Sequence, residues 1–296
     1  VTRGPEDWAA PSPSGEPLLE VLIPTCNRPT ELATTLAGLA AQDADGFGVV
    51  VSDQSDGAAG WEHEGAAAML RLLEAQGRPV RTLRHHPRRG LAEHRQFLLE
   101  ASAAPRVLFL DDDVWLAPGA VRTLGEALGT LGCGFVGMAV QGLSYLDDPR
   151  PEEVEAFSVW DGPVRPERMD RGAPGFVRWR LHNAANLAHL AADLRRTGRL
   201  RAGEWLPYRV AWVGGCVLYR REALEDCGGF GFWRDLPAAH AGEDVVAQWR
   251  VMERYGGAGI IPSQAVHLES PTTVTDRSVE ASAVLVGDGG RGPEEV

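Results

Sequence analysis

Short apolar runs and segments with helical spacing take turns along this chain, and that alternation constrains its fold more than any other feature. Leu18 to Ile23 (LLEVLI) is an apolar run stopped by Pro24, as expected of a buried strand. Pro29 and Thr30 then open a helix on which Leu32, Leu36 and Leu39 recur. Val49 to Val51 reads as a second strand that runs into the polar turn Ser52 to Gly57. A helix over Trp61 to Gln76, a strand at Val80 to Leu83, a helix over Leu91 to Ala101 and a strand at Val107 to Leu110 follow, and Pro118 starts another helix. Such an order predicts an α/β domain with a mostly parallel central sheet and helices on both faces.

The alternation fails from Gln141 to Pro207, a stretch rich in Pro, Arg, Asp and aromatic residues that reads as an insertion. Regular structure is expected again at Val210 to Val213, then Gly214-Gly215, a helix near Glu222, an amphipathic helix over Asp244 to Tyr255, and short strands at Ile260-Ile261 and Val266 to Leu268. The expected organisation is a flexible leader (1–17), one domain (18–269) and a flexible tail (270–296). Within the domain, 18–140 precedes the insertion, 141–209 holds it, and 210–269 follows it. With 44% of 296 residues hydrophobic, one large core or two modest ones can be built.

No lysine occurs, so all 29 cationic side chains are arginine. Schiff-base enzymes, Walker-A phosphate loops and protein kinases, which need a lysine, are thereby excluded. The formal charge of -12 has the wrong sign for a general polyanion binder, so nucleic acid and anionic membrane are not expected partners. No apolar stretch approaches the roughly 20 residues of a spanning helix, and Val1 to Pro17 lacks a signal-peptide core. A cytoplasmic protein is expected, and the Ala/Gly-rich, arginine-only composition suits a bacterium of GC-rich genome. Cys26, Cys133, Cys216 and Cys227 form no close pair and read as free thiols.

The sharpest local feature is Arg-Val-Leu-Phe-Leu-Asp-Asp-Asp, a buried strand that runs straight into Asp111, Asp112 and Asp113. Adjacent carboxylates repel one another, and a divalent cation at the strand's carboxyl end would relieve that repulsion where open α/β sheets bind ligands. Strand alternation would point Asp111 and Asp113 to one side. The bland alternative is a solvated acidic turn that caps the next helix. Among phosphate chemistries, a haloacid-dehalogenase phosphatase wants Thr or Val where Trp115 stands and a later lysine. A sugar nucleotidylyltransferase wants a Gly-rich loop where Pro24-Thr25-Cys26-Asn27-Arg28-Pro29 has no glycine.

The chain resembles a family 2 inverting glycosyltransferase of the A-type fold, in order over Leu19 to Leu268 without the insertion. Val21 to Arg28 resembles that family's first strand and nucleotide loop, which implies nucleotide contacts from Pro24, Thr25, Asn27 and Arg28. Asp53 matches an aspartate that binds the base, although the usual Asp-Asp-Gly-Ser order is altered to Ser-Asp-Gln-Ser. Gly90 to Gln96 resembles the Gly…Ala-Arg-Asn segment and brings in Arg95, with His94 and Gln96 departing from the pattern. Asp111 and Asp113 match the Asp-x-Asp motif, which implies Asp111 and Asp112 at the nucleotide and Asp113 on a metal. His267 matches a late histidine that completes the metal site, Gly214-Gly215 an acceptor-side pair, and Glu243-Asp244 a pair whose aspartate is the base.

The resemblance implies a sugar transfer from a nucleotide-diphosphate sugar, a UDP-sugar foremost, with a divalent cation, and implies that 18–140 is the nucleotide-binding half, 141–209 an acceptor-side insertion and 210–269 the catalytic and acceptor half. O and N ligands from Asp113 and His267 would suit Mn²⁺ better than Mg²⁺. The acceptor is unidentified; without a membrane segment it is expected to be a soluble glycan or small molecule. Asp244, in the first turn of its helix, is expected to be ionised at neutral pH by the helix-end charge. Otherwise, Glu243 and Asp244 only complement that dipole, and His267 is an ordinary edge-strand histidine. Trp212 and the aromatic residues of the insertion could stack on sugar, or simply pack. A catalytically inert nucleotide-sugar binder and another metal-dependent phosphate-transfer enzyme remain as rivals.

Overall fold

The apolar runs become a mixed sheet in a computed structural model that describes residues 3–9, 15–274 and 276–286. In chain order the first half carries β1 (Leu19–Thr25), α1 (Pro29–Ala40), β2 (Phe47–Asp53), α2 (Glu64–Ala75), β3 (Val80–Arg84), α3 (Leu91–Ala101), β4 (Arg106–Leu110), β5 (Val114–Leu116), α4 (Ala120–Leu131) and β6 (Phe135–Gly137). The second half carries β7 (Gln141–Gly142), α5 (Asn186–Arg196), β8 (Leu206–Tyr208), β9 (Cys216–Arg220), α6 (Arg221–Asp226), α7 (Glu243–Tyr255), β10 (Gly257–Ile261), β11 (Ala265–His267) and α8 (Ala281–Leu285).

The main sheet has the order β3-β2-β1-β4-β9-β6-β10-β8, and β5-β11-β7 form a second, small sheet. From β3 to β4 the strands are parallel, in register Val21↔Val49 and Val21↔Leu108. β9 lies antiparallel between β4 and β6, β10 is parallel to β6, and β8 closes the edge antiparallel. Alternate residues feed two apolar cores. Val21, Ile23, Val49, Val51, Leu108 and Leu110 pack with Leu32, Leu36 and Leu39 of α1. Leu22, Val50, Val107 and Phe109 pack with Leu98 of α3 and Val245, Trp249 and Met252 of α7. Both faces are therefore covered, which explains why these strands read as continuous apolar runs.

The second half corrects one expectation. Val210 to Val213 is not a strand: the apolar run that joins the sheet is Cys216 to Arg220, beyond Gly214-Gly215. The earlier segment satisfies its buried backbone through α7 side chains instead. Gln248 accepts from Val213 N and donates to Val213 O, both at 2.7 Å, and Trp249 Nε1 donates to Ala211 O at 2.9 Å. The described residues after Ser270, expected as a tail, include α8, tied back by Ala241 N to Val279 O and Ala281 N to Ala241 O. Residues 275 and 287–296 of that expectation, and 1–2 and 10–14 of the leader, lie outside the described residues.

Candidate active site

The carboxyl ends of β1, β2 and β4 open onto a cavity of about 610 Å³ lined by Pro24, Thr25, Arg28, Asp111, Asp112, Asp113 and His267 among the expected residues. The strand geometry of β4 ends at Leu110, so the expected alternation does not carry through the three aspartates. Asp112 and Asp113, rather than Asp111 and Asp113, share a partner: Arg28 Nη1 reaches Asp112 Oδ1 at 3.1 Å and Asp113 Oδ2 at 2.6 Å. Thr25 Oγ1 donates to Asp112 Oδ2 at 2.7 Å. Burial still pushes the Asp112 carboxyl up to about 7, against the lowering by Thr25 and Arg28.

Asp111 turns the other way. Its backbone N–H donates to Gly215 O at 2.9 Å, and its Oδ1 receives Arg95 Nη2 at 2.7 Å. Arg95 Nε reaches Glu243 Oε1 at 2.9 Å. Arg95 is only 5% exposed and does not line the cavity, and its guanidinium links the end of β4 to the start of α7. The Asp111 and Glu243 charges hold it ionised against its burial.

Asp244 follows in the first turn of α7, and its Oδ2 lies 4.0 Å from where a Cβ on Gly214 would stand. Burial, and next the Glu243 charge, push its carboxyl up to about 7, despite the opposing Arg95. Desolvation and the like charge of Glu243 thus oppose the helix-end stabilisation expected for the ionised form. Gly215, at φ +76°, packs where a Cβ would meet Val140 Cγ1 at 2.8 Å. Gly214-Gly215 consequently runs between Asp111 and Asp244 with no side chain in the way. Trp212 is half-buried against Phe176, with ring centroids 5.8 Å apart, and does not line the cavity.

Asp53 ends β2, where it was expected, but it does not line the cavity. It is 0% exposed, and both carboxylate oxygens are engaged. Oδ1 accepts from Ser55 N at 2.6 Å and from Arg84 Nη1 at 3.2 Å, while Oδ2 accepts from Gly60 N at 2.7 Å and Ser55 Oγ at 3.1 Å. Its work is to shape the loop after β2. Asn27, at φ +56°, clasps that loop from the β1 side through Ser55 Oγ and Asp56, and also stays off the cavity wall.

Gln54, Arg88, His94, Ala238 to His240 and Thr272 to Val274 line the cavity without having been expected there. Only the altered Ser-Asp-Gln-Ser order pointed toward Gln54. His94 donates to or accepts from Ser52 Oγ at 2.8 Å, and burial drives its pKa down to about 3, so it is neutral. Arg28 Nη2 also donates to Pro271 O, which draws the segment after β11 to the cavity rim.

For a divalent cation the donor chemistry fits in part. His267 Nε2 lies 3.5 Å from Asp113 Oδ2, so one O and one N donor stand together at the cavity wall. Glu269 N donates to His267 Nδ1 at 2.9 Å, which fixes the proton of a neutral ring on Nε2. Arg28 meanwhile occupies Asp113 Oδ2. For Nε2 of His267 to act as a ligand it would have to give up the proton that the Glu269 contact places on it. Among the described residues no cluster of three His, Cys, Asp or Glu side chains is set for a metal.

Residues 20–228 match the protein family described as Glycosyl transferase family 2. Among solved structures, S. aureus TarS 1-349 in complex with UDP-GlcNAc is 14% identical with a TM-score of 0.51, over 86% of this chain and 60% of that one. The mannosyltransferase PcManGT from Pyrobaculum calidifontis, in complex with GDP-Man and Mn²⁺, is 16% identical with a TM-score of 0.51, over 91% of this chain and 64% of that one. This chain spans less than two thirds of the length of either. No curated protein matches it. The expected fold, the A-type glycosyltransferase fold, is the one observed.

Proposed function

The chain belongs to glycosyltransferase family 2, and on that premise we propose that it moves a sugar from a nucleotide-diphosphate sugar to an acceptor hydroxyl with inversion at the anomeric carbon. The observation that carries this reading is the ion-pair bridge Asp111–Arg95–Glu243, which ties the cavity-lining Asp111 to the start of α7, where Asp244 faces Gly214 just behind the cavity wall. Donor and acceptor would meet across that bridge, the diphosphate toward Arg28 and Asp113, the acceptor over Gly214-Gly215.

An in-line displacement needs the acceptor hydroxyl to lose its proton as the diphosphate departs. Asp244, with a carboxyl near pH 7, accepts that proton. Arg28 offers charge-assisted hydrogen bonds to the leaving phosphates once it releases Asp113. Asp113 and His267 would hold a divalent cation, which would supply Lewis-acid neutralisation of the diphosphate, and this O,N donor set would suit Mn²⁺ better than Mg²⁺. A UDP-sugar is the proposed donor and a soluble glycan or small molecule the proposed acceptor. No helix among the described residues is long and apolar enough to cross a membrane. Free thiols at all four cysteines, together with a nucleotide-sugar donor, support a cytoplasmic reaction.

The test is nucleotide-diphosphate release from a panel of nucleotide sugars, with and without candidate acceptors, for the wild type and Asp244→Asn. The proposal expects release by the wild type and a fall of at least about 10²-fold in the variant, with donor affinity nearly unchanged. Binding without release would leave an inert binder, and release of inorganic phosphate would point to phosphate transfer.

A further inference from the structure

We propose that Gln54, and not Asp53, reads the nucleotide base, and that it selects a base edge with a carbonyl beside an N–H, as in uracil or guanine. The inference rests on the donor-binding reading above and gives it a specificity residue.

Three observations carry it. Asp53 has no exposed surface and spends both oxygens on Ser55, Gly60 and Arg84, so it has nothing left for a base. Gln54 lines the cavity, is 6% exposed, and its Nε2 has no hydrogen-bond partner. Buried amide donors are costly when unpaired, so an orphan at a cavity wall marks where a ligand acceptor belongs. The third observation is position. Gln54 follows β2, which is separated from β4 by β1. Two strand spacings put it about 10 Å from the Asp111 to Asp113 end, the reach from a diphosphate to a base.

The main chain of Gln54 is fixed on three sides: its N–H donates to Thr25 O at 3.0 Å, and its carbonyl accepts from Arg88 Nε at 2.7 Å and Cys26 Sγ at 3.5 Å. Only the terminal carboxamide, whose last torsion is soft, is left to turn toward a ligand. A carboxamide both donates and accepts. It can give N–H to a base carbonyl while taking the adjacent base N–H, which a carboxylate cannot do.

The test is calorimetric binding of UDP, GDP, CDP and ADP at fixed Mn²⁺ to the full chain as wild type, Gln54→Glu, Gln54→Leu and Asp53→Asn. The wild type should prefer UDP or GDP. Gln54→Glu should weaken that nucleotide about 10 to 100-fold and favour CDP relative to it, because a carboxylate accepts from the cytosine amino group. Gln54→Leu should flatten the preference among all four. Asp53→Asn should lower the melting temperature and scale every nucleotide alike. Unchanged preference in both Gln54 variants, with melting temperatures showing them folded, overturns the assignment, as does a changed preference in Asp53→Asn alone. If the wild type binds no nucleotide diphosphate, the donor-binding reading fails first, and the role of Gln54 fails with it.

Discussion

Asp244 carries the account's pH dependence. Its carboxyl is raised to about 7, and a general base works only when deprotonated, so turnover should climb as pH rises through 7 and level off above it. Below the inflection the rate should drop about tenfold per pH unit, and Asp244→Asn should lose the inflection, as kcat measured from pH 5.5 to 8.5 will report. Asp53 makes the opposite kind of prediction. Asp53→Ala removes the acceptor for Ser55 N–H and Gly60 N–H in a buried loop, and should cost roughly 2–4 kcal/mol, read as a lower urea midpoint. The sequence revealed the residue types of the site but not these duties. Asp53 stood at the matching position, yet only the folded loop shows both oxygens occupied, because Ser55 and Gly60 come back to it from two and seven residues on.

α3 and α7 pack on the same face of the sheet and hold the site together at its carboxyl edge. Arg95 on α3 spans Asp111 and Glu243, and His240, just before α7, accepts from Ala92 N at 3.2 Å while its Nδ1 meets Pro237 O at 2.7 Å. Gly90, at φ +104°, lets this contact form: a Cβ there would lie 2.5 Å from His240 Cε1. Arg95→Met would strand Glu243, 3% exposed, without its cation, and should cost about 3–5 kcal/mol while depressing turnover more than nucleotide affinity. Thermal melting beside steady-state kinetics checks both halves. Elements with long apolar runs or helical spacing, such as β1, α1 and α7, were readable in the sequence. β5, β6 and β7, of two or three residues each, were not, since runs that short carry no period. Val210 to Val213 misled for a physical reason, because its hydrogen bonds go to Gln248 and Trp249 side chains that lie 35 to 38 residues away.

The assembled molecule follows the alternation of its first half: parallel β3-β2-β1-β4 bring the loops after β1, β2 and β4 to one edge, where α/β sheets hold ligands. β9 reverses direction next to β4, so Gly215, which precedes it, arrives beside Asp111, which follows β4. Nothing local in either segment encodes that meeting; it is a product of strand order. The most direct test of the account is the melting temperature of the full chain with nucleoside diphosphates at about 100 times Kd, with Mn²⁺ or with chelator. Ligand linkage of about 2.7 kcal/mol should raise it by about 5 °C or more for UDP or GDP with Mn²⁺, and by much less with chelator. No shift with any nucleoside diphosphate, or an equal shift with chelator, would contradict a cation-assisted nucleotide-sugar site at the ends of β1, β2 and β4.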